Sequence, residues 1–437
     1  SVRDLFEHPS VAALAQLVKS NDARSSEIHG GASKIKERSS QKDDYEEFDE
    51  SLFELVIGSS EEQLLPFPLM GMQQAYWIGQ QYLSSMIAMN HSTDSTGRTP
   101  RYSPHVYLEY ELVSPDFPFE VAAIEYIVNA LVHRHSMLRA VITNDGSVRV
   151  IDPSSVPVWT LTRGIESGGN MIAAQNRERM SREGPSTDTW PLFEVAVSDL
   201  TNQSDDTKSS PSRLLHWRLH ISISLFLVDG LTEQILRKEV AFLARNFFNP
   251  AKHLHDPENA DSHVDSASLR PLRISFRDYA TSMQRQIQSN DRFRESLQYW
   301  HQRIEQGSLP GAPPIPMSFA SDAGVVDVNH YAGRLPASKW RRLQRLRGKA
   351  VPGVGITPTA ILCSCYAEVL SRWSNSSNFL VNVMHTLRHD VHEDVSQLLG
   401  NFSSTILLEA KLRNGGAGSF AEHVTAISGQ LFEDLVH

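Results

Sequence analysis

The chain has 437 residues, 40% of them hydrophobic and 21% charged, with a formal net charge of −10, enough apolar material for more than one compact unit. An acidic balance without a long Lys/Arg cluster argues against a nucleic-acid-binding surface, whose affinity rests on neutralised phosphates. No apolar run approaches the roughly 20 residues a membrane helix needs and the N-terminus lacks a signal-peptide pattern, so a cytoplasmic protein is expected.

In chain order, Leu5-Phe6 and Pro9-Ser10 precede a single apolar stripe of Val11, Leu14, Ala15 and Val18, a helical tail too short to fold alone. Residues 19–60 are rich in Ser, Lys, Asp and Glu, the composition of a flexible linker. From Pro66 onward strand and helix signals alternate, which implies α/β layering. A helix carries Ile124, Ile127, Val128, Leu131 and Val132 at helical spacing. A polar loop is expected over 202–212.

The next stretch, Leu219 to Thr232, is the most informative. His220, Ser222 and Ser224 alternate with Leu219, Ile221, Ile223 and Leu225, the period of a strand that shows one face to polar surroundings. Phe226 to Val228 then run apolar, Asp229-Gly230 signals a turn, and Leu231, Ile235 and Leu236 suggest a helix. A polar site at the mouth of a sheet and a plain strand-turn-helix corner with Asp229 as helix cap both fit this pattern.

A Pro/His/Asp/Ser-rich stretch over 250–268 reads as a connection between two lobes. Farther on, Thr357 is an N-cap with Pro358 in the first turn, and Ile361, Leu362, Cys365, Tyr366 and Val369 form the expected buried face of a helix. Cys363 and Cys365, the only cysteines, lie in this pattern and read as core thiols, which excludes a disulfide framework. A strand over Phe379 to Val383 follows. His385, His389 and His392 lack a recognised ligand spacing, so no metal site is expected.

Several blocks, in order, resemble one family. These are Phe67-Pro68-Leu69 with Gln73-Gln74-Ala75-Tyr76-Trp77-Ile78-Gly79, then His105 to Tyr110, His133 to Arg139, Trp190 to Glu194, and Phe276-Arg277-Asp278-Tyr279. Together they are similar to the heterocyclization branch of the condensation domains of nonribosomal peptide synthetases, although Gln80 stands where that branch usually has arginine. The run Val2 to Pro9 resembles the end of a peptidyl carrier domain, whose phosphopantetheine serine would lie upstream of Ser1. The resemblance implies an α/β fold of two chloramphenicol-acetyltransferase-like lobes in a V, with a tunnel admitting a pantetheine arm from each side. It divides the chain into a carrier tail (1–18), a linker (19–60), an N-terminal lobe (64–260) and a C-terminal lobe (266–437). Because that family continues past Leu435-Val436-His437, the second lobe is expected to be truncated.

The family's pattern of Asp, four residues, Asp, two residues, Ser falls on Ser224, Asp229 and Thr232, so one carboxylate is replaced. Ordinary condensation domains carry two adjacent histidines at positions matching Ser224 and Leu225. Leu225 cannot accept a proton, so base catalysis of that type is not available there. Asp229, followed by Gly230, matches the carboxylate kept in both branches, and Arg388 is the candidate partner for a structural ion pair. The family's Gly-Asp-Phe-Thr block reads Gly400-Asn401-Phe402-Ser403, and Met384 aligns with a threonine implicated in cyclodehydration. Asn401 cannot act as a carboxylate base.

The expected function is amide formation between carrier-bound acyl and aminoacyl thioesters, with cyclodehydration doubtful. Asp229, Ser224, Thr232, Asn401 and Ser403 would shape the site, and Arg388, Gly230 and Met384 would support it. No cofactor is expected to bind directly; the phosphopantetheine arms belong to upstream and downstream peptidyl carriers, with an adenylation domain adjacent. The alternative is a catalytically degenerate carrier-docking or gatekeeping module. A free acyltransferase acting on soluble acceptors fits less well with a carrier-like tail.

Overall fold

The computed structural model describes residues 54–89, 103–114, 120–201, 215–248, 269–305, 309–316, 332–345, 355–412 and 418–437. The carrier tail, residues 19–53 of the linker and the expected connections at 202–212 and 250–268 lie outside them. Two compact units are present: Glu50–Ile287 with His385–Ser404, and Gln288–Met384 with Thr405–His437. Residues 385–404 thus belong with the first unit, although the expected boundary puts them in the second lobe.

In the first unit the elements run β1 (Phe67–Pro68), α1 (Gly71–Met89), β2 (His105–Ser114), α2 (Val121–Arg134), β3 (Ala140–Ile142), β4 (Ser147–Val150), β5 (Ile165–Ser167), α3 (Gly169–Arg182), β6 (Phe193–Asp199), β7 (Leu215–Ser224), α4 (Gly230–Phe248) and α5 (Phe276–Ser289). One sheet has the order β1-β4-β3 and the other β2-β7-β6-β5. In the larger sheet β5 and β6 pair in parallel, and β7 lies antiparallel to both β2 and β6.

The polar face of β7 differs from its sequence expectation. His220, Ser222 and Ser224 are all fully buried. They lie on the sheet face covered by α3, where Asn176 donates to Ser198 Oγ (3.2 Å) and Ser198 Oγ meets His220 Nε2 (2.9 Å). Tyr107 Oη closes the row against His220 Nδ1 at 2.6 Å. Tyr107, His220, Ser198 and Asn176 satisfy one another rather than water, which is what makes their burial tolerable, whereas the Ser222 hydroxyl finds no partner among the described residues. Burial holds His220 below the usual imidazole range.

Helix α2 buries Ala123, Ile124, Ile127, Leu131 and Val132, close to the expected stripe. Its C-terminal carbonyls are capped by buried Arg139, whose Nη1 donates to Val132 O and His133 O (2.5 and 2.8 Å). The end of the expected linker is bound rather than free: Val56 N donates to Ser282 Oγ (2.9 Å) and Gly58 N to Asp278 Oδ1 (2.9 Å), both on α5. Asp278 is a fully buried carboxylate that needs such donors, a demand that linker composition does not reveal.

The second unit contains α6 (Asp291–Glu305), α7 (Ala337–Gln344), α8 (Pro358–Ser374), most of β8 (Asn378–Thr386) and of β9 (Ser403–Lys411), and α9 (Phe420–Val436), with β8 and β9 paired. Thr357 caps α8 by accepting from Ala360 N at 3.0 Å, and Ser419 with Glu422 forms a capping box on α9. The expected face of α8 is rotated. Its buried side is Ala360, Ile361, Ser364, Ala367, Leu370 and Ser374, whereas Leu362 and Tyr366 are each 56% exposed and Val369 is exposed as well. Small residues let α9 approach, and Ser364 and Ser374 return their hydroxyls to Ala360 O and Leu370 O one turn back. Cys363 and Cys365 are free, half-buried thiols, and Cys363 packs beside the Ala367, Phe379 and Leu408 core. Among the described residues no helix is long and apolar enough to cross a membrane, and no group of three His, Cys, Asp or Glu side chains is placed to hold a metal.

Candidate functional site

Strand β7 ends at Ser224, and Leu225 to Asp229 turn into α4. The turn cannot hydrogen-bond as strand or helix, so its polar groups need other partners. Leu225 N donates to Pro104 O (2.9 Å), Leu227 N to Ser224 O (3.0 Å) and Phe226 N to Ser224 Oγ (3.4 Å). Ser224 itself is fully buried.

Asp229 stands at the head of α4. Its Oδ1 accepts from Leu231 N (3.1 Å), Thr232 N (2.8 Å) and Thr232 Oγ1 (2.9 Å), the pattern of a helix cap. Its Oδ2 accepts from Phe402 N and from Arg388 Nε, both at 3.3 Å. Arg388 Nη2 reaches both oxygens at 3.2 Å, and the two side chains are only 7% and 3% exposed.

Arg388 also donates through Nη1 to Val395 O (2.9 Å) and Leu398 O (3.0 Å), and its guanidinium lies 3.9 Å from the Phe402 ring centroid. Burial lowers the Arg388 pKa, with the Asp229 charge acting against that shift. Every contact the structure gives the Asp229 carboxylate is with a donor, so its lone pairs are engaged in holding 229, 388 and 402 together. Thr232 Oγ1 extends the knot to Gly400 O at 3.2 Å.

Gly400 is where backbone meets aromatic core. A Cβ there would lie 2.2 Å from Phe276 Cδ2, inside a ring cluster in which Phe402 stacks edge-on with Phe276 and Tyr279, both at 4.9 Å. Asn401 is 1% exposed; its Nδ2 donates to Leu225 O (2.7 Å) and its Oδ1 accepts from Ser403 N (2.8 Å). Ser403 is buried beside it at the start of β9.

Ser224, Asp229, Thr232, Arg388, Asn401 and Ser403 are therefore gathered in the first unit, with exposed Gly230 opening α4. Met384 is not among them: it sits on β8 in the second unit, 59% exposed. Two contributors went unassigned in the sequence. Gln73, fully buried at the start of α1, donates through Nε2 to Phe226 O at 2.6 Å. Pro104 supplies its carbonyl to Leu225 N. Gln73 lies in the opening block quoted above, but only the tertiary structure shows what its amide holds.

The family model for the condensation domain matches residues 262–434. Pyochelin synthetase PchF of Pseudomonas aeruginosa is 28% identical over 376 residues, covering 85% of this chain and 18% of that protein. Phenyloxazoline synthase MbtB of Mycobacterium tuberculosis is 25% identical over 374 residues, covering 83% and 22%. Over residues 262–434 this chain is similar to the condensation domains of nonribosomal peptide synthetases. The cyclization-docking bidomain of EpoB from Sorangium cellulosum shares the fold, with a TM-score of 0.64 at 24% identity, over 98% of this chain and 72% of that one. The condensation-type domain thus has the chloramphenicol-acetyltransferase-like fold, and the chain spans about a fifth of the length of the curated synthetases named here.

Proposed function

We propose that the domain joins an acyl group held as a thioester on an upstream peptidyl carrier to the amine of an aminoacyl thioester on a downstream carrier, and leaves the product uncyclised. The neutral amine attacks the thioester carbonyl, the C–N bond forms, the C–S bond breaks and the upstream pantetheine thiol departs. The proton lost by nitrogen leaves with the thiolate or to water. What carries the reading is the saturation of the Asp229 carboxylate by donors from Leu231, Thr232, Arg388 and Phe402. Asn401 in place of a carboxylate points the same way. With Asp229 engaged as a strut and Leu225 beside Ser224, rate enhancement rests on holding two tethered substrates together, which can supply about 7–11 kcal/mol.

Ser224, Thr232 and Ser403 polarise the surroundings of the reacting groups in this reading, and Arg388, Gly230 and Asn401 keep them in place. Both substrates arrive on phosphopantetheine arms of partner carriers, loaded by an adjacent adenylation domain. In this reading the work is done in the cytoplasm. The same saturation favours a second reading, a carrier-docking or gatekeeping module without turnover.

Intact-mass analysis of the downstream carrier decides among the outcomes, after mixing with an acyl-loaded upstream carrier and cysteine-, serine- or threonine-loaded acceptors. An acyl-aminoacyl species with no further loss of water is expected. A species lighter by one water restores cyclodehydration, and no transfer to any acceptor leaves the docking module.

A further inference from the structure

Two buried side-chain amides grip consecutive carbonyls of the Ser224–Asp229 turn from sequence-distant segments. Asn401 Nδ2 donates to Leu225 O (2.7 Å) and Gln73 Nε2 to Phe226 O (2.6 Å). Each amide is oriented without ambiguity, because its oxygen accepts a backbone N–H nearby: Ser403 N to Asn401 Oδ1 (2.8 Å) and Met70 N to Gln73 Oε1 (2.9 Å). An amide is needed at both places. A carboxylate could accept the same N–H but would turn its second oxygen onto the carbonyl, acceptor against acceptor, in a site where neither side chain reaches water. The two segments also meet directly: a Cβ on Gly71, whose φ is +43°, would lie 2.5 Å from Ser403 O.

We propose that Gln73 and Asn401 are a pair of positioning residues, a two-point amide clamp that fixes the peptide following Ser224 and with it the turn that carries Asp229. Asn401 is then not a disabled catalytic carboxylate but a residue with its own task, and restoring the family's aspartate harms the domain instead of reactivating it. The assignment rests on the proposed amide-forming reaction only for its kinetic consequence; the clamp itself is measured without turnover.

The test uses the full chain with Asn401→Asp and Gln73→Glu, each nearly isosteric. At neutral pH, amide hydrogen exchange across Leu225–Val228 is expected to quicken about tenfold in either variant, the equivalent of one buried hydrogen bond. The urea midpoint falls relative to the parent, and the gap narrows as the pH is lowered towards 5, where a protonated acid regains a donor. If Asn401→Asp fails to fold at pH 7, recovery of folding at pH 5 reads out the same property. In the transfer assay kcat falls while the KM for both carriers stays. Unchanged exchange, a pH-independent gap, or failure to fold at both pH values overturns the clamp. Absence of transfer by the parent chain overturns the function and leaves the clamp standing on its exchange data.

Discussion

Replacing Arg388 by methionine removes one partner of a buried ion pair and keeps most of the side-chain volume. In the parent, Arg388 shares two nitrogens with Asp229, gives a third to the carbonyls of Val395 and Leu398, and lies over Phe402. The variant leaves Asp229, 3% exposed, with neutral donors only. Breaking a buried pair in this way costs about 3–5 kcal/mol, mostly the penalty of a charge left uncompensated. Against a typical stability of about 5–15 kcal/mol, this is about a fifth or more of the total. Asp229→Asn strands the opposite charge, so a cycle of the two singles and the double isolates the coupling. Urea unfolding, read by fluorescence and by amide exchange at Gly400–Ser403, should show Arg388→Met losing about 3–5 kcal/mol. The double variant should lose less than the sum of the singles by about 1–3 kcal/mol. Singles that cost under about 1 kcal/mol, or strict additivity, would refute the view that this pair holds 385–404 to the first unit.

Gly400→Ala should destabilise by about 1–3 kcal/mol, since the added methyl meets the Phe276 ring and neither ring nor backbone has room to retreat; a lowered urea midpoint checks it. Leu362→Asn should change stability by less than about 0.5 kcal/mol, whereas Ile361→Ala should cost about 2–5 kcal/mol, which separates the two sides of α8 in chemical denaturation. His135, His220 and His385 are all pushed down by burial, so each protonates less readily in the fold than in the unfolded chain. The unfolded chain takes up protons first as the pH drops through about 6.5, so stability should fall from pH 7 towards pH 5. His220→Gln should flatten that slope, and an unchanged slope in thermal melts across this window would count against a neutral buried imidazole.

Much of the fold was legible because its signals are local. The apolar stripe of α2, the turn at Asp229-Gly230 and the Thr357 cap each lie within a few residues of what they specify. The partnership of Asp229 with Arg388 was readable by a different route, from the rule that a buried carboxylate needs a cation. What misled was polarity taken as exposure. His220 and Ser222 alternate like a wet strand face, yet Tyr107, Ser198 and Asn176 turn that face into a buried hydrogen-bonded layer, and no period in β7 encodes those partners. On α8 the large apolar side chains drew the stripe toward Leu362 and Tyr366, while close packing chose the small ones. Gln73 was visible as part of a motif, but its acceptor lies 153 residues away.

The route of the chain through residues 385–404 dictates an order of assembly. Arg388, Gly400, Asn401 and Phe402 complete the first unit, yet they emerge from the ribosome only after α6, α7, α8 and most of β8 have been made. At ~5–20 residues per second, the roughly 100 intervening residues keep a nascent first unit waiting for ~5–20 s. During that interval Asp229 has no arginine, and Phe276 and Tyr279 lack the ring that packs between them. A ribosome stalled before Arg388 would therefore present an exposed aromatic cluster and an unpaired acid, the kind of surface that chaperones recognise.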